Sequence, residues 1–257
     1  MKKITLILFI LLINNLVIAQ NSTKVYNRQH AGTGRAGLTS NMADVDIGTV
    51  TDIDGNTYKT IKIGDQWWMT ENLRVTHFRN GVEIPNVTGN AEWMNLSSGA
   101  YCMWENNSTT AAVMGHIYNW YAVDDSRVLA PEGWHVPTDD EWKDLEMYLG
   151  MSRSEANDRG FRGTDEGGKL KEAGTAHWNS PNKGATNESG FTALPGGYRD
   201  DVDGEFKNIR NGIAFWSSSE SNSVFAWYRS LRSSRSDIGR SHNYKRLGFF
   251  VRCVRDK

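Results

Sequence analysis

The clearest pattern of hydrophobic and polar positions lies in residues 138–150. Thr138 and Glu141 have the spacing of a capping box, in which each side chain binds the other residue's backbone amide. The apolar positions that follow recur at three- and four-residue spacing, as in an amphipathic helix: Trp142, Leu145, Tyr148 and Leu149. Gly150 stands where a left-handed residue would end the helix. The pattern therefore predicts a helix over 139–149.

Most other patterned stretches are short and alternate as strands do. Residues 49–73 contain the turn dipeptides Asp54-Gly55 and Gly64-Asp65, with alternating positions between them, and predict a strand meander. From Phe191 onward, further short strands are predicted in FTALPGGYR, EFKNI, IAFWSSSE, VFAWYRSL and GFFVRCVR. Helical spacing predicts a short helix near 114–122, and a weaker capping pattern predicts another from Ser152. The chain is therefore expected to be an α+β protein with few helices and long loops between 159 and 190.

Composition favours an aromatic core over a helical bundle. The chain has 10 Trp, 9 Tyr, 9 Phe and 25 Gly in 257 residues. No repeat of fixed period occurs, which argues against a solenoid or a propeller. The formal net charge is only −1, so bulk electrostatics favour no nucleic acid. Residues 229–257 carry nine Lys or Arg against two Asp, which gives either a basic binding face or simply a solvated surface.

The first residues have the pattern of an export signal. Lys2 and Lys3 precede an aliphatic run that is shorter than the ~20 residues of a membrane span. We expect a signal peptide over 1–19, a polar flexible leader over 20–46 and one domain over 47–257. The mature chain is then expected to have no transmembrane segment and to be secreted, periplasmic or peripherally attached to the outer envelope.

Few residues carry metal or catalytic patterns. The six histidines form no close pair, and the Gly-x-Ser-x-Gly pattern of many hydrolases is missing. We expect no cofactor, although DIDGN and DDVDGE leave a structural calcium site as an alternative to simple hairpin turns. Cys102 and Cys253 are the only cysteines, and an even count in an exported chain predicts a disulfide worth about 4 to 5 kcal/mol.

Segments throughout residues 50–255 resemble the Fibrobacter succinogenes major paralogous domain, a family of exported bacterial proteins without an established biochemical role. The matching segments include VTDIDGNTYKTIKIGDQWWMTENL, PEGWHVPTDDEW, GATNESGFTALPGGYR and GFFVRCV. More distantly, HVPTDDEW, LPGGYR, WYRSLRSSR and GFFVRC are similar to segments of the formylglycine-generating enzymes. That likeness implies a C-type-lectin-like fold and a disulfide between AYC and VRC, that is, between Cys102 and Cys253.

The same likeness weakens an enzymatic reading. The formylglycine-generating enzymes oxidise their substrate with two copper-binding thiols, because soft thiolates select monovalent copper. Aligned on Tyr228 and Arg229, this chain has Ser230 and Arg235 at those two positions. The resemblance therefore implies that this chain lacks that chemistry.

We thus expect a non-catalytic surface or extracellular module that binds carbohydrate, a surface protein or another envelope ligand. The candidate ligand contacts combine rings for stacking with guanidinium groups: Trp216, Trp227, Tyr228, Arg229, Arg232 and Arg235. Trp216 and Trp227 could instead be core residues. Two other functions remain open. One is a polysaccharide hydrolase, which would need two carboxylates roughly 5 to 10 Å apart in a cleft; the other is a structural component that self-assembles.

Overall fold

The computed structural model describes residues 46–257, so the expected signal peptide and almost all of the expected leader lie outside the described residues. Thirteen strands are present in this part of the chain: β1 (Ile47–Thr51), β2 (Thr57–Ile63), β3 (Gln66–Met69), β4 (Tyr101–Cys102), β5 (Ile117–Tyr118), β6 (Trp134–His135), β7 (Gly160–Arg162), β8 (Tyr198–Arg199), β9 (Phe206–Lys207), β10 (Gly212–Glu220), β11 (Phe225–Arg232), β12 (Ile238–Tyr244) and β13 (Val254–Arg255). Most are two to five residues long, which leaves much of the chain in loops.

The helices within residues 46–257 are short. They are α1 (Asn90–Met94), α2 (Ser108–Met114), α3 (Trp120–Val123), α4 (Asp139–Tyr148), α5 (Arg153–Asn157) and α6 (Glu166–Leu170), with a 3-10 turn at Trp104–Asn106. No helix among the described residues has the length and apolar character needed to cross a bilayer.

The strands form two main sheets in which every pair is antiparallel. One sheet has the order β1-β2-β3-β13-β6 and joins the N-terminal meander to the C-terminal strand. The other has the order β10-β11-β12-β7 and contains the longest strands. Two small pairs, β4-β5 and β8-β9, complete the arrangement. The expected α+β class with irregular antiparallel strands is confirmed at this level.

Local sequence patterns predicted several elements correctly. Helix α4 has both hydrogen bonds of the capping box, and Gly150 follows it with a φ of +125°. Helix α5 also has a complete capping box, formed by Ser152 and Glu155. The helix expected near 114–122 is wrong, because strand β5 lies between α2 and α3 there. The pattern did not predict β12, because most of its residues are polar; the sheet buries its first three residues, Ile238 to Arg240, and leaves the others partly or fully exposed.

The core is built from aromatic rings, as composition predicted. Six tryptophans have essentially no solvent exposure: Trp68, Trp93, Trp120, Trp142, Trp178 and Trp216. Trp142 directs α4 inward, where its ring packs against Trp68, Phe191 and Phe215 at centroid distances of 4.9, 5.9 and 5.7 Å. This cluster fixes α4 against the sheet that contains β10, the sheet on which the candidate site lies.

A group of buried charges lies between α4 and that sheet. The Arg229 guanidinium donates to Glu146 Oε1 at 2.6 Å and to Asp139 Oδ1 at 2.7 Å. Arg162 pairs with Glu146, and Arg240 donates to both oxygens of Asp139 at 2.9 and 2.7 Å. Because each of these charges has oppositely charged partners, the cluster ties the helix to three strands instead of leaving a charge unpaired in the interior.

Candidate functional site

Side-chain alternation divides the long strands into two faces. In antiparallel strands, directly opposed residues point to the same side of the sheet and neighbours along a strand point to opposite sides. The register pairs Gly212 with Arg232, Ala214 with Ser230 and Trp216 with Tyr228. We call the side that carries these residues the cleft face. The other side, the core face, carries Ile213, Phe215, Arg229 and Leu231 and packs against α4.

A cleft of about 670 Å³ opens on the cleft face. Its floor consists of small residues, Gly212, Ala214 and Ser230, which leave room above the sheet. Gly239 on β12 belongs to the same face, and a Cβ atom there would come within 2.3 Å of Ser230 Oγ. The hollow therefore depends on residues with little or no side chain at neighbouring positions of three strands.

The walls present groups suited to a hydroxylated ligand. They combine aromatic rings, amides, hydroxyls and charged groups: Tyr198, Tyr228, Tyr244, Phe249, Asn208, Asn211, Asn243, Ser233, Ser234, Asp200, Asp201 and Arg232. Burial raises the pKa of Tyr198 and of Tyr228, so both phenols remain protonated and can donate hydrogen bonds. Val202 and Tyr244 at the mouth are 76% and 43% exposed, which leaves apolar surface available there.

The acidic wall lies in the turn between β8 and β9. Asp201 is buried, and its pKa is raised by burial and by the neighbouring Asp200, against the charge of Arg246 at 3.6 Å. Asp200 forms an ion pair with Lys207, whose Nζ lies 3.1 Å from Asp200 Oδ2. Both carboxylates therefore have a cation beside them.

Two buried cations hold the loops on either side of the cleft. Arg199 donates to the backbone carbonyls of Gly204, Val87 and Thr88 at 2.9, 2.6 and 3.0 Å, which fixes the acidic wall. Lys171 has no solvent exposure. Its Nζ donates to the carbonyls of Lys183, Arg232 and Arg235 at 2.9, 3.1 and 2.7 Å. An ammonium group has three donors, so each one has a carbonyl partner. These contacts hold Arg232 at the end of β11 and the turn that follows it, which carries Ser233 and Ser234.

The structure corrects two of the six predicted ligand contacts. Arg229 has no exposure and belongs to the buried charge cluster on the core face. Trp216 also has no exposure: its Nε1 donates to the Tyr118 carbonyl at 2.9 Å, and its ring packs on Phe249 at 4.3 Å. Neither side chain is accessible to a ligand, because the sheet and its covering loops enclose both.

The other four lie at the surface but do not form one site. Tyr228 and Arg232 line the cleft. Trp227 is half-buried at the outer end of the core face, with the guanidinium groups of Arg240 and Arg159 at 3.8 and 4.9 Å from its ring. Arg235 is exposed in the turn after β11, where it forms a two-bond ion pair with Asp237. Trp227 is thus separated from Tyr228 by the alternation of the strand itself.

The predicted disulfide is not present. Cys102 and Cys253 are both free and fully buried, and they belong to two different hydrophobic clusters of the core. Burial raises the pKa of the Cys102 thiol to about 12, and that of Cys253 further. Each sulfur is therefore packed as a small apolar group in its own surroundings.

Turn geometry accounts for the two segments that resemble calcium loops. Asp52 in DIDGN accepts hydrogen bonds from the amide of Asn56 at 2.9 Å and from the Tyr58 hydroxyl at 2.5 Å. Asp203 in DDVDGE accepts from the Glu205 amide at 3.0 Å and pairs with Lys207. Among residues 46–257 there is no group of three or more His, Cys, Asp or Glu side chains arranged to hold a metal ion.

Sequence reasoning missed most of the polar lining. Three of these polar residues lie in turn sequences: Asp200, Asn208 and Asn211. Asn and Asp are common in turns, so their presence there did not indicate that they line a cleft. Asn243 lies on the strand that was not predicted. The one available signal was the density of acidic residues between 200 and 205, which the sequence alone could not distinguish from ordinary turn residues.

Residues 61–255 match the family model described as Fibrobacter succinogenes major domain. No curated protein and no solved structure matches the chain significantly.

Proposed function

The chain belongs to the Fibrobacter succinogenes major domain family, and within that family we propose that it is an exported, non-catalytic module that binds carbohydrate in the cleft described above. The cleft itself is the observation that carries the proposal. Its volume of about 670 Å³ is in the range of small-molecule sites. Rings, amides and hydroxyls in one hollow suit sugars, which stack through their C–H faces and exchange hydrogen bonds through their hydroxyls.

Two further parts of the proposal rest on other features. Export is supported by the charged and then aliphatic pattern of residues 1–19. A C-type-lectin-like fold is supported by the short antiparallel strands, the few helices and the distant likeness to the formylglycine-generating enzymes. An experimental structure compared with that superfamily would test the fold, and N-terminal sequencing of the protein from its native compartment would test export.

A glycan array tests the binding function directly. Ser234 is exposed in the turn beside the cleft, so Ser234→Trp should cover the mouth without disturbing the core. Ser223 is exposed in the turn between β10 and β11, outside the cleft lining, and Ser223→Trp is the matched control. We expect the control and the wild type to bind the same glycans and Ser234→Trp to lose them. Equal binding by all three proteins would place the ligand elsewhere, and no binding by the wild type would refute the proposal.

A hydrolase is the second candidate, because two carboxylates line the same cleft. The raised pKa of Asp201 is the property expected of a general acid. Release of reducing sugar by the wild type, with loss in Asp201→Asn, would favour hydrolysis over binding. A self-assembling structural component is tested by sedimentation: concentration-dependent association together with an empty glycan array would favour it.

A further inference from the structure

One positive charge in the cleft has no internal partner among the described residues. Arg232 is exposed and lines the cleft, and none of the ion pairs within residues 46–257 includes it. By contrast, its neighbour Arg235 is paired with Asp237 at 2.6 Å. An unmatched cation in a cleft is the feature that an anionic group on a ligand would complement.

The opposite wall does not supply that anion. Asp201 is paired with Arg246, and Asp200 shares Lys207 with Asp203. These carboxylates already have cations beside them, so they can accept hydrogen bonds from ligand hydroxyls without needing a further positive charge. The cleft therefore offers acceptors on one wall and a free guanidinium on the other.

The position of Arg232 is well fixed for this purpose. Its guanidinium carbon lies 4.9 Å from the centre of the Phe161 ring, a cation–π contact that limits the freedom of the side chain. The backbone of Arg232 is also fixed, because it pairs with Gly212 across the sheet and its carbonyl accepts a hydrogen bond from the buried Lys171. Less conformational entropy is lost when a side chain held in this way binds a ligand.

We propose that the ligand is an acidic oligosaccharide and that Arg232 determines this specificity by binding a sugar carboxylate. This inference rests on the proposed carbohydrate-binding function and names its ligand class. A guanidinium forms two parallel hydrogen bonds to a planar carboxylate, a geometry that a neutral ester or hydroxymethyl group cannot reproduce. The amides and serines of the lining then bind the hydroxyls that acidic and neutral sugars share.

The test compares one oligosaccharide in two charge states. Oligogalacturonate and its methyl ester have the same ring structure and differ only in the carboxylate, so calorimetric titration of both isolates the contribution of the charge. We expect the wild type to prefer the acid by about tenfold, equivalent to about 1.4 kcal/mol. Added salt should reduce this preference because it screens the pair. Arg232→Ala should bind both forms equally, at the wild-type affinity for the ester.

Arg235→Ala is the matched control, because Arg235 flanks the same Phe161 ring at 4.4 Å but is neutralised by Asp237. It should keep the tenfold preference. Equal binding of the two forms by the wild type, or an unchanged preference in Arg232→Ala, would overturn the inference and leave carbohydrate binding standing. A preference of the wild type for neutral glycans across an array would also overturn the inference and leave carbohydrate binding standing. Failure of the wild type to bind any glycan would refute the proposed function, and the inference with it.

Discussion

Replacing Arg229 by alanine tests whether this residue is structural, as its burial indicates, or a ligand contact, as its sequence context suggested. The side chain has no exposure, and neither does that of Glu146. Its guanidinium donates three hydrogen bonds: to Glu146 Oε1 at 2.6 Å, to Asp139 Oδ1 at 2.7 Å and to the Asp139 carbonyl at 3.2 Å. All three are lost in Arg229→Ala, and a cavity remains between the sheet and α4.

The expected cost is large. Removing one partner from a buried ion pair typically costs about 3 to 5 kcal/mol, because the remaining charge stays desolvated. For a domain of about 200 residues, each kcal/mol lowers the melting temperature by roughly 2 to 4 °C. Arg229→Ala should therefore melt about 6 to 20 °C below the wild type.

Urea unfolding and thermal melts of three proteins provide the measurement. Arg235→Ala is the control, because it removes an arginine of the same strand-turn region whose side chain is 44% exposed and paired at the surface. Exposed pairs contribute at most about 1 kcal/mol, so the control should be nearly as stable as the wild type. A loss of less than about 1 kcal/mol in Arg229→Ala, or equal losses in both variants, would refute the structural role of the buried cluster.

The same variant should change the response to acid. Burial by itself would raise the pKa of Asp139, but hydrogen bonds and charge from Arg240 and Arg229 hold it well below its usual range. A carboxylate with a depressed pKa stabilises the fold above its unfolded pKa, about 3.9, and this contribution is lost as the pH falls through the folded value. Wild-type stability should therefore fall below about pH 4 more steeply than that of Arg229→Ala. Parallel profiles would show that Arg229 does not lower this pKa.

Three further predictions concern other parts of the chain. Hydrogen bonds to two carboxylates raise the pKa of His135 despite its partial burial. The stability that protonated His135 gives to the fold should be complete below about pH 6.5 and lost as the pH rises through the folded pKa. The stability of His135→Ala should therefore change less than that of the wild type from about pH 6 to 9, and identical profiles would contradict this. Gly239→Ala should lower the free energy of unfolding by about 1 to 3 kcal/mol, because the added methyl group crowds Ser230 Oγ. Urea unfolding should show that the double variant with Ser230→Ala regains stability, and a double variant as unstable as Gly239→Ala would exclude that contact as the cause. Without reductant, Cys102 and Cys253 should react slowly with a thiol reagent in the native protein, because both are buried, and completely in urea. Fewer than two reactive thiols in urea would indicate a disulfide.

Local patterns in the sequence were sufficient where the interactions are local. The capping boxes of α4 and α5 each join residues three apart, and both form as predicted. Strands around two-residue turns, such as β2 and β3, were predicted for the same reason. The helix near 114–122 failed because its central residues pair in β5 with β4 and form a bridge to Phe249, contacts that no local spacing reveals.

The candidate site required the tertiary structure. Trp227, Tyr228 and Arg229 are consecutive in the chain, yet strand alternation points Tyr228 to the cleft face and its two neighbours to the opposite side. Likewise, the sequence does not distinguish Arg232 from Arg235. In the structure, Asp237 forms an ion pair with Arg235 and leaves Arg232 without one among the described residues.

The sequence by itself determined the family, the aromatic core and the capped helices, because these depend on composition and on neighbours within a few residues. Only the tertiary structure decided which polar residues meet in the cleft, which arginines are buried and that the two thiols pack in different hydrophobic clusters. Those outcomes depend on strand register and on packing between residues that are more than 180 positions apart, as are Met69 and Arg252.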